Sequence, residues 1–257
     1  MPVGPDIHGE PVELKNRKGE PITDWRGWTR PKDAEKQWRA TRSAMELARA
    51  WFTAPAPTVP PEVTALLATQ PATRGAEFTD GWPELTTPLP ERGEGRNHDL
   101  VLVGTAGGRG LLVAVEAKVD ETMGPLVGGY WRASKRTRGS YAWRRADTLL
   151  RCLFGERAVA TDAPWKDLPY QMLTASVGTA IEAASRGIGV AALVVHEFQT
   201  ESARPELLKK NAGEYRAFLA ALGVRQAAAG ALHGPFRVTV PSGVVVELYV
   251  GKAEYRW

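Results

Sequence analysis

The chain has 257 residues, enough for one large core, and its 43% hydrophobic and 24% charged residues are the composition of an ordinary globular protein. Its 33 basic and 29 acidic residues leave a formal net charge of +4, too small an excess to establish nucleic-acid binding unless the cations cluster. A single cysteine, Cys152, excludes an intramolecular disulfide, and no apolar run approaches the roughly 18 residues that cross a bilayer.

Cys152 lies in the apolar run Leu149–Phe154 and reads as a buried structural thiol. The first residues, Met1-Pro2-Val3-Gly4-Pro5-Asp6, lack the apolar centre of a signal peptide, so a cytoplasmic protein with no membrane partner is expected.

In chain order, residues 1–31 are polar and aperiodic and read as an irregular arm, with Trp25 and Trp28 pinning its end. Residues 32–257 then form one domain. Trp38, Met45, Leu47, Ala48 and Trp51 fall near helical spacing and predict a helix over Asp33–Phe52, which the Ala54-Pro55-Ala56-Pro57 run ends. A short helix is expected at Pro61–Ala68, followed by a turn-rich stretch to Asn97. Asp99–Val103 and Leu111–Val119 read as a hairpin about the glycine-rich turn Thr105–Gly110. The basic, aromatic stretch Tyr130–Arg145 leads into a helix ending near Phe154. A long helix over Leu168–Arg186, a strand over Val190–Phe198, a helix over Pro205–Leu222 and a hairpin of Phe236–Val240 with Val244–Val250 follow. This order predicts an α/β fold with a central mixed β-sheet flanked by helices. It alternates too irregularly for a Rossmann fold or a (β/α)8 barrel.

Charge is placed unusually on the first hairpin. Leu111–Val115 is apolar throughout, as a buried central strand is, and Glu116 and Lys118 then appear at its end on one face. A hairpin folded near position 107 sets Asp99 beside residue 115, so facing Glu116 requires a one-residue shift or a bulge. Two adjacent carboxylates repel unless a cation joins them. A hard divalent ion, Mg2+ or Mn2+, meets that need through oxygen ligands, and a neighbouring lysine stabilises charge on a phosphate or orients a water. Taken alone, a Glu-x-Lys triplet at a strand end is an ordinary surface ion pair.

Asn97-His98-Asp99-Leu100-Val101-Leu102-Val103 followed by Val113-Ala114-Val115-Glu116-Ala117-Lys118 resembles the active-site signature of the PD-(D/E)XK nuclease superfamily. The likeness covers roughly residues 40–200 and extends to uncharacterised bacterial nuclease-like proteins. It implies a restriction-endonuclease-like fold and Mg2+- or Mn2+-dependent hydrolysis of phosphodiester bonds. Asp99 and Glu116 would bind the metal and Lys118 would position the nucleophile. His98 stands where the signature has proline, and is read as a phosphate or metal contact or as a solvent-facing strand start. The resemblance also implies a metal-binding Glu46 on the preceding helix and a Gln171 at the start of the following one, although the tyrosine that often follows such a glutamine is missing. Glu121 reads as a supporting acid or, with Asp120, as a solvated turn.

Tyr130–Arg145 holds six cations and four aromatics. Arg132, Lys135, Arg136, Arg138, Arg144 and Arg145 are therefore expected to contact nucleic acid, with DNA preferred to RNA and a homodimer or a partner subunit left open. Other chemistries are set aside. Gly104–Gly110 is no P-loop, the four histidines and one cysteine lack zinc spacing, and Ser176 lies within a predicted helix. The expected function is an endonuclease acting on DNA in defence or DNA processing. The alternatives are a non-catalytic binding module of the same fold and an enzyme acting on a small phosphorylated molecule.

Overall fold

A computed structural model describes residues 11–201, 203–228 and 230–256. Its strands are β1 (Glu13–Leu14), β2 (Glu77–Thr87), β3 (Arg96–Ala106), β4 (Arg109–Lys118), β5 (Val190–Gln199), β6 (Leu232–Thr239) and β7 (Val245–Arg256). They form one mixed sheet in the order β1-β2-β3-β4-β5-β7-β6. β2–β3, β3–β4 and β6–β7 pair antiparallel, whereas β1–β2, β4–β5 and β5–β7 pair parallel. The helices are α1 (Ala34–Gln37), α2 (Ser43–Ala50), α3 (Pro61–Leu67), α4 (Val127–Arg136), α5 (Ala142–Phe154), α6 (Tyr170–Ser185) and α7 (Pro205–Ala221). This is the α/β architecture, a mixed sheet flanked by helices, that the residue pattern predicts.

Helices cover both faces. Leu112 and Ala114 of β4 pack with Leu149, Met172, Val177 and Phe218 on one side, while Leu111, Val113 and Val115 pack with Leu47, Trp51 and Val63 on the other. Double burial explains why β4 and β5 are apolar at successive positions. Cys152 is buried, and burial raises its thiol pKa, as befits a structural residue. No helix among the described residues is long and apolar enough to cross a membrane.

Four local expectations are corrected. First, the described part of the N-terminal arm, from residue 11, belongs to the core. Val12, Leu14, Ile22 and Trp28 are buried, and β1 pairs with β2 at Asp80 and Gly81. Residues 1–10 lie outside the described residues. Second, the helix expected over 33–52 is two helices, broken where Thr41 takes a φ of 66°. Third, the supposed turn-rich stretch contains the 11-residue β2. Gly81, Pro83 and the acids Glu77, Asp80 and Glu84 mask its alternation, and Pro83 is tolerated because β1 has ended before it, leaving that edge unpaired. Fourth, the basic stretch after Gly129 is mostly helical, in α4 and the start of α5.

The β3–β4 turn sets the register of the site. Ala106 pairs with Arg109, so the loop is only Gly107-Gly108, with φ values of 55° and 75°. Positive φ at both positions is the geometry of a type I′ turn, which side chains other than Gly, Asn and Asp adopt at a cost. Replacing both glycines by valine is expected to destabilise the protein by about 2 kcal/mol or more, read by urea unfolding, whereas Gly107→Asn should be nearly neutral.

Candidate active site at the ends of β3 and β4

The two-residue turn resolves the register question. Leu100 pairs with Val115 with no bulge between there and the turn, so the register brings Asp99 to the level of Glu116 just where the ladder ends. The β3–β4 ladder ends at Leu100–Val115, although β3 continues pairing with β2 as far as Arg96–Thr87. β3 therefore leaves β4 beyond Leu100, and side chains fill the opening. Asp99 Oδ2 accepts the Ala117 backbone N–H at 2.7 Å, taking the place of a ladder carbonyl.

Glu116 is 2% exposed and is the hub of the cluster. Lys118 Nζ lies 2.9 Å from its Oε1, Gln171 Nε2 donates to the same oxygen at 2.6 Å, and Arg96 Nη2 donates to Oε2. Gln171 reaches it because α6 starts over the end of β4. Burial lowers the Lys118 pKa to about 8, against the pull of Asp99. Burial raises that of Asp99, opposed by Lys118 and Arg96.

Two participants have no precedent in the sequence pattern. Arg96 sits three residues before Asp99, in a stretch that reads as turn, and reaches Glu116 only because β3 peels away. Glu84 lies on β2, in line with Asp99 between the pairs Pro83–Leu100 and Leu85–His98. It is 3% exposed with a φ of 56°, a costly conformation for a residue with a side chain. Burial first and Asp99 second raise its pKa to about 7, while Asn97 Nδ2 donates to its carboxylate. An acid interrupting a strand at Pro83-Glu84 was the only available signal.

Other candidates sit elsewhere. His98 is buried, shares a hydrogen bond with Thr87 Oγ1 at 3.1 Å and packs near Gly178 of α6. Burial and then Arg96 hold its pKa well below 6.5, so it is a neutral interior group and not a solvent-facing one. Glu46 accepts the Thr41 N–H at 2.6 Å and pairs with Arg49 at 3.5 Å, stabilising the break before α2. Among the described residues no three acidic, histidine or cysteine groups gather to hold an ion, so the expected set Asp99, Glu116 and Glu46 is not assembled. Glu121 accepts from Val119 N and Ser43 N, tying the end of β4 to the first turn of α2. It is a structural junction and not a solvated turn.

A cavity of about 510 Å³ opens beside the cluster, lined by Arg96, Asn97, Tyr130, Arg145, Tyr170 and Gln171 among others. Tyr130 and Tyr170 stack in it with ring centroids 3.8 Å apart. Of the six cations expected to contact nucleic acid, Arg132, Lys135, Arg136, Arg138 and Arg144 are exposed. Lys135 and Arg144 lie over the Trp143 ring, at 3.5 and 5.0 Å from its centroid, which covers one of the aromatics of this stretch. Arg145 is 6% exposed and donates to the carbonyls of Pro90, Glu91 and Glu94, so it is a structural clamp and not a surface contact.

Residues 20–256 match a family described as a domain of unknown function, DUF6946. The chain belongs to this family. The match takes in every strand and helix named above except β1. No curated protein and no solved structure matches the chain. In the DUF6946 domain, chemistry is therefore read from the site itself. Asp99 and Glu116 are two hard oxygen donors on neighbouring strands, and Glu116 already draws two cations and an amide. That donor set suits an ion such as Mg2+, which takes one or two carboxylates and completes its shell with water and substrate oxygens.

Proposed function

We propose that the protein is a metal-dependent nuclease that hydrolyses phosphodiester bonds of DNA, with a restriction-endonuclease-like core. The observation that carries this reading is the gathering of Asp99, Glu116 and Lys118 where β3 and β4 part, with Asp99 Oδ2 on the Ala117 N–H at 2.7 Å and Lys118 Nζ 2.9 Å from Glu116. The sheet supports it further, since the antiparallel β3–β4 hairpin is followed by α6 across the sheet face and by β5 parallel to β4.

Asp99 and Glu116 would hold Mg2+ or Mn2+. When bound, the ion supplies a Lewis acid for the phosphate and lowers the pKa of a water. Lys118 stabilises negative charge on the phosphate or orients the attacking water, from a buried position where its charge acts through little solvent. Gln171 fixes the Glu116 carboxylate so that its oxygens keep one orientation. The exposed cations of α4, of α5 and of the turn between them bind the backbone of the polymer. Replacing Arg132, Arg136 and Arg138 together by alanine should weaken DNA binding and flatten the slope of log K against log salt by up to about 3, measured by fluorescence anisotropy.

The deciding experiment incubates plasmid DNA, linear DNA and RNA with the protein in Mg2+, in Mn2+ and in EDTA. Cleavage that needs the ion supports the reading, and cleavage that persists in EDTA defeats it. A second reading, a DNA-binding module without catalysis, is favoured by the Arg96–Glu116 pair, which already neutralises the carboxylate. DNA binding without cleavage in any metal would select it.

A further inference from the structure

Resting on the metal-dependent reading, we propose that Arg96 holds the cation position of Glu116 in the metal-free protein and passes its guanidinium to a phosphate of the substrate once a divalent ion binds. Arg96 stands among three carboxylates on adjacent strands. It pairs with Glu116, and Asp99 and Glu84 lie close enough to act on it electrostatically. The Arg96 guanidinium now sits on Glu116 Oε2, and a divalent ion held by the same carboxylate would repel it at close range. Ion binding therefore drives Arg96 away from Glu116.

The structure offers it a destination. Arg96 lines the cavity of about 510 Å³ beside the site, and its Nε is buried without a hydrogen-bond partner. The cavity's other guanidinium is engaged, because Arg145 is held by the carbonyls of Pro90, Glu91 and Glu94. A planar guanidinium with unused donors matches the fork geometry of phosphate oxygens. Gly178 of α6 leaves room for its stem, since a Cβ there would lie 3.0 Å from Arg96 Cγ.

Competition between Arg96 and the ion gives a test whose sign differs from that of a structural role. Mn2+ binding to the intact protein is measured by calorimetry for the wild type and for Arg96→Gln, with folding checked by thermal melting. Removing a competing cation from the carboxylate should tighten Mn2+ binding roughly tenfold or more. Arg96→Lys, with a shorter reach but a retained charge, should shift it the same way by a smaller factor, and it serves if Arg96→Gln does not fold. Binding of a phosphorothioate-linked DNA duplex is measured in parallel. Arg96→Gln should leave affinity in EDTA within about twofold of wild type and weaken it roughly tenfold in saturating Mn2+, because only then does the guanidinium reach the phosphate. Folded variants that bind Mn2+ no more tightly than a metal-binding wild type overturn this proposal and leave the nuclease reading standing. If neither the wild type nor any folded variant binds Mn2+, the metal reading itself falls and takes this proposal with it.

Discussion

Lys118→Met is expected to lower DNA cleavage by about 10²- to 10³-fold with the fold retained. The loss follows from position. Lys118 is 6% exposed, lies on the same β4 face as Glu116 and has its Nζ 2.9 Å from that carboxylate. A charge so placed acts on a reacting phosphate without much screening, and methionine keeps the volume but supplies no charge. Stability carries a pH dependence of its own. Burial lowers the Lys118 pKa from 10.5 to about 8, so the folded state holds the ammonium form less readily than the unfolded chain does. Between those two values the unfolded chain binds more protons, and the lysine's contribution to stability rises with pH across that window. Below it the penalty is present in full. Urea unfolding in EDTA should show a rise from pH 8 toward 10 that is larger in the wild type than in Lys118→Met. A variant that unfolds at neutral pH would instead make the ion pair with Glu116 the main role of Lys118.

Much of the fold was legible because its central elements are simple in pattern. β4 and β5 each contain an apolar run, Leu111–Val115 and Val190–Val195, and α6 is ringed by small and apolar residues between Tyr170 and Ser185, so the middle of the sheet and its covering helix announce themselves. The edges were harder. β2 carries Gly81, Pro83 and Glu84, each individually adverse to a strand, and only pairing with β3 along nearly its whole length overrides them. The arm's Val12 and Leu14 are too few to show a period, yet both are buried. Around Glu116, the positions of Asp99, Lys118 and Gln171 were legible because they follow strand and helix arithmetic. The uncertainty of one residue in register vanished once Gly107-Gly108 proved to be the whole loop. Arg96 and Glu84 could not be found that way. One reaches Glu116 through the opening between two strands, and the other joins through a backbone conformation that alternation does not describe. Glu46 misled for the opposite reason. It occupies the expected place in sequence, but its carboxylate is drawn to the broken turn at Thr41.

Arg145→Ala should separate the two meanings that a basic residue can have in this chain. Arg145 belongs by sequence to the cationic stretch, yet its Nε and both Nη atoms are hydrogen-bonded to carbonyls of the β2–β3 loop at 2.8 to 3.3 Å. Hydrogen bonds from a charged donor contribute more than neutral ones, and truncation also leaves carbonyls without partners, so a loss of about 3 kcal/mol is expected by urea unfolding. The same loop supplies Leu89, Glu94 and Gly95 to the wall of the cavity beside Glu116. Its loosening should therefore reduce cleavage while the salt dependence of DNA binding stays that of the wild type. Arg132→Ala should do the reverse, with unchanged unfolding and a shallower salt slope. A flattened slope in Arg145→Ala, with stability intact, would mean that its guanidinium leaves the loop to meet the polymer. The cavity wall would then be remodelled by substrate, and the clamp would be a feature of the unbound protein alone.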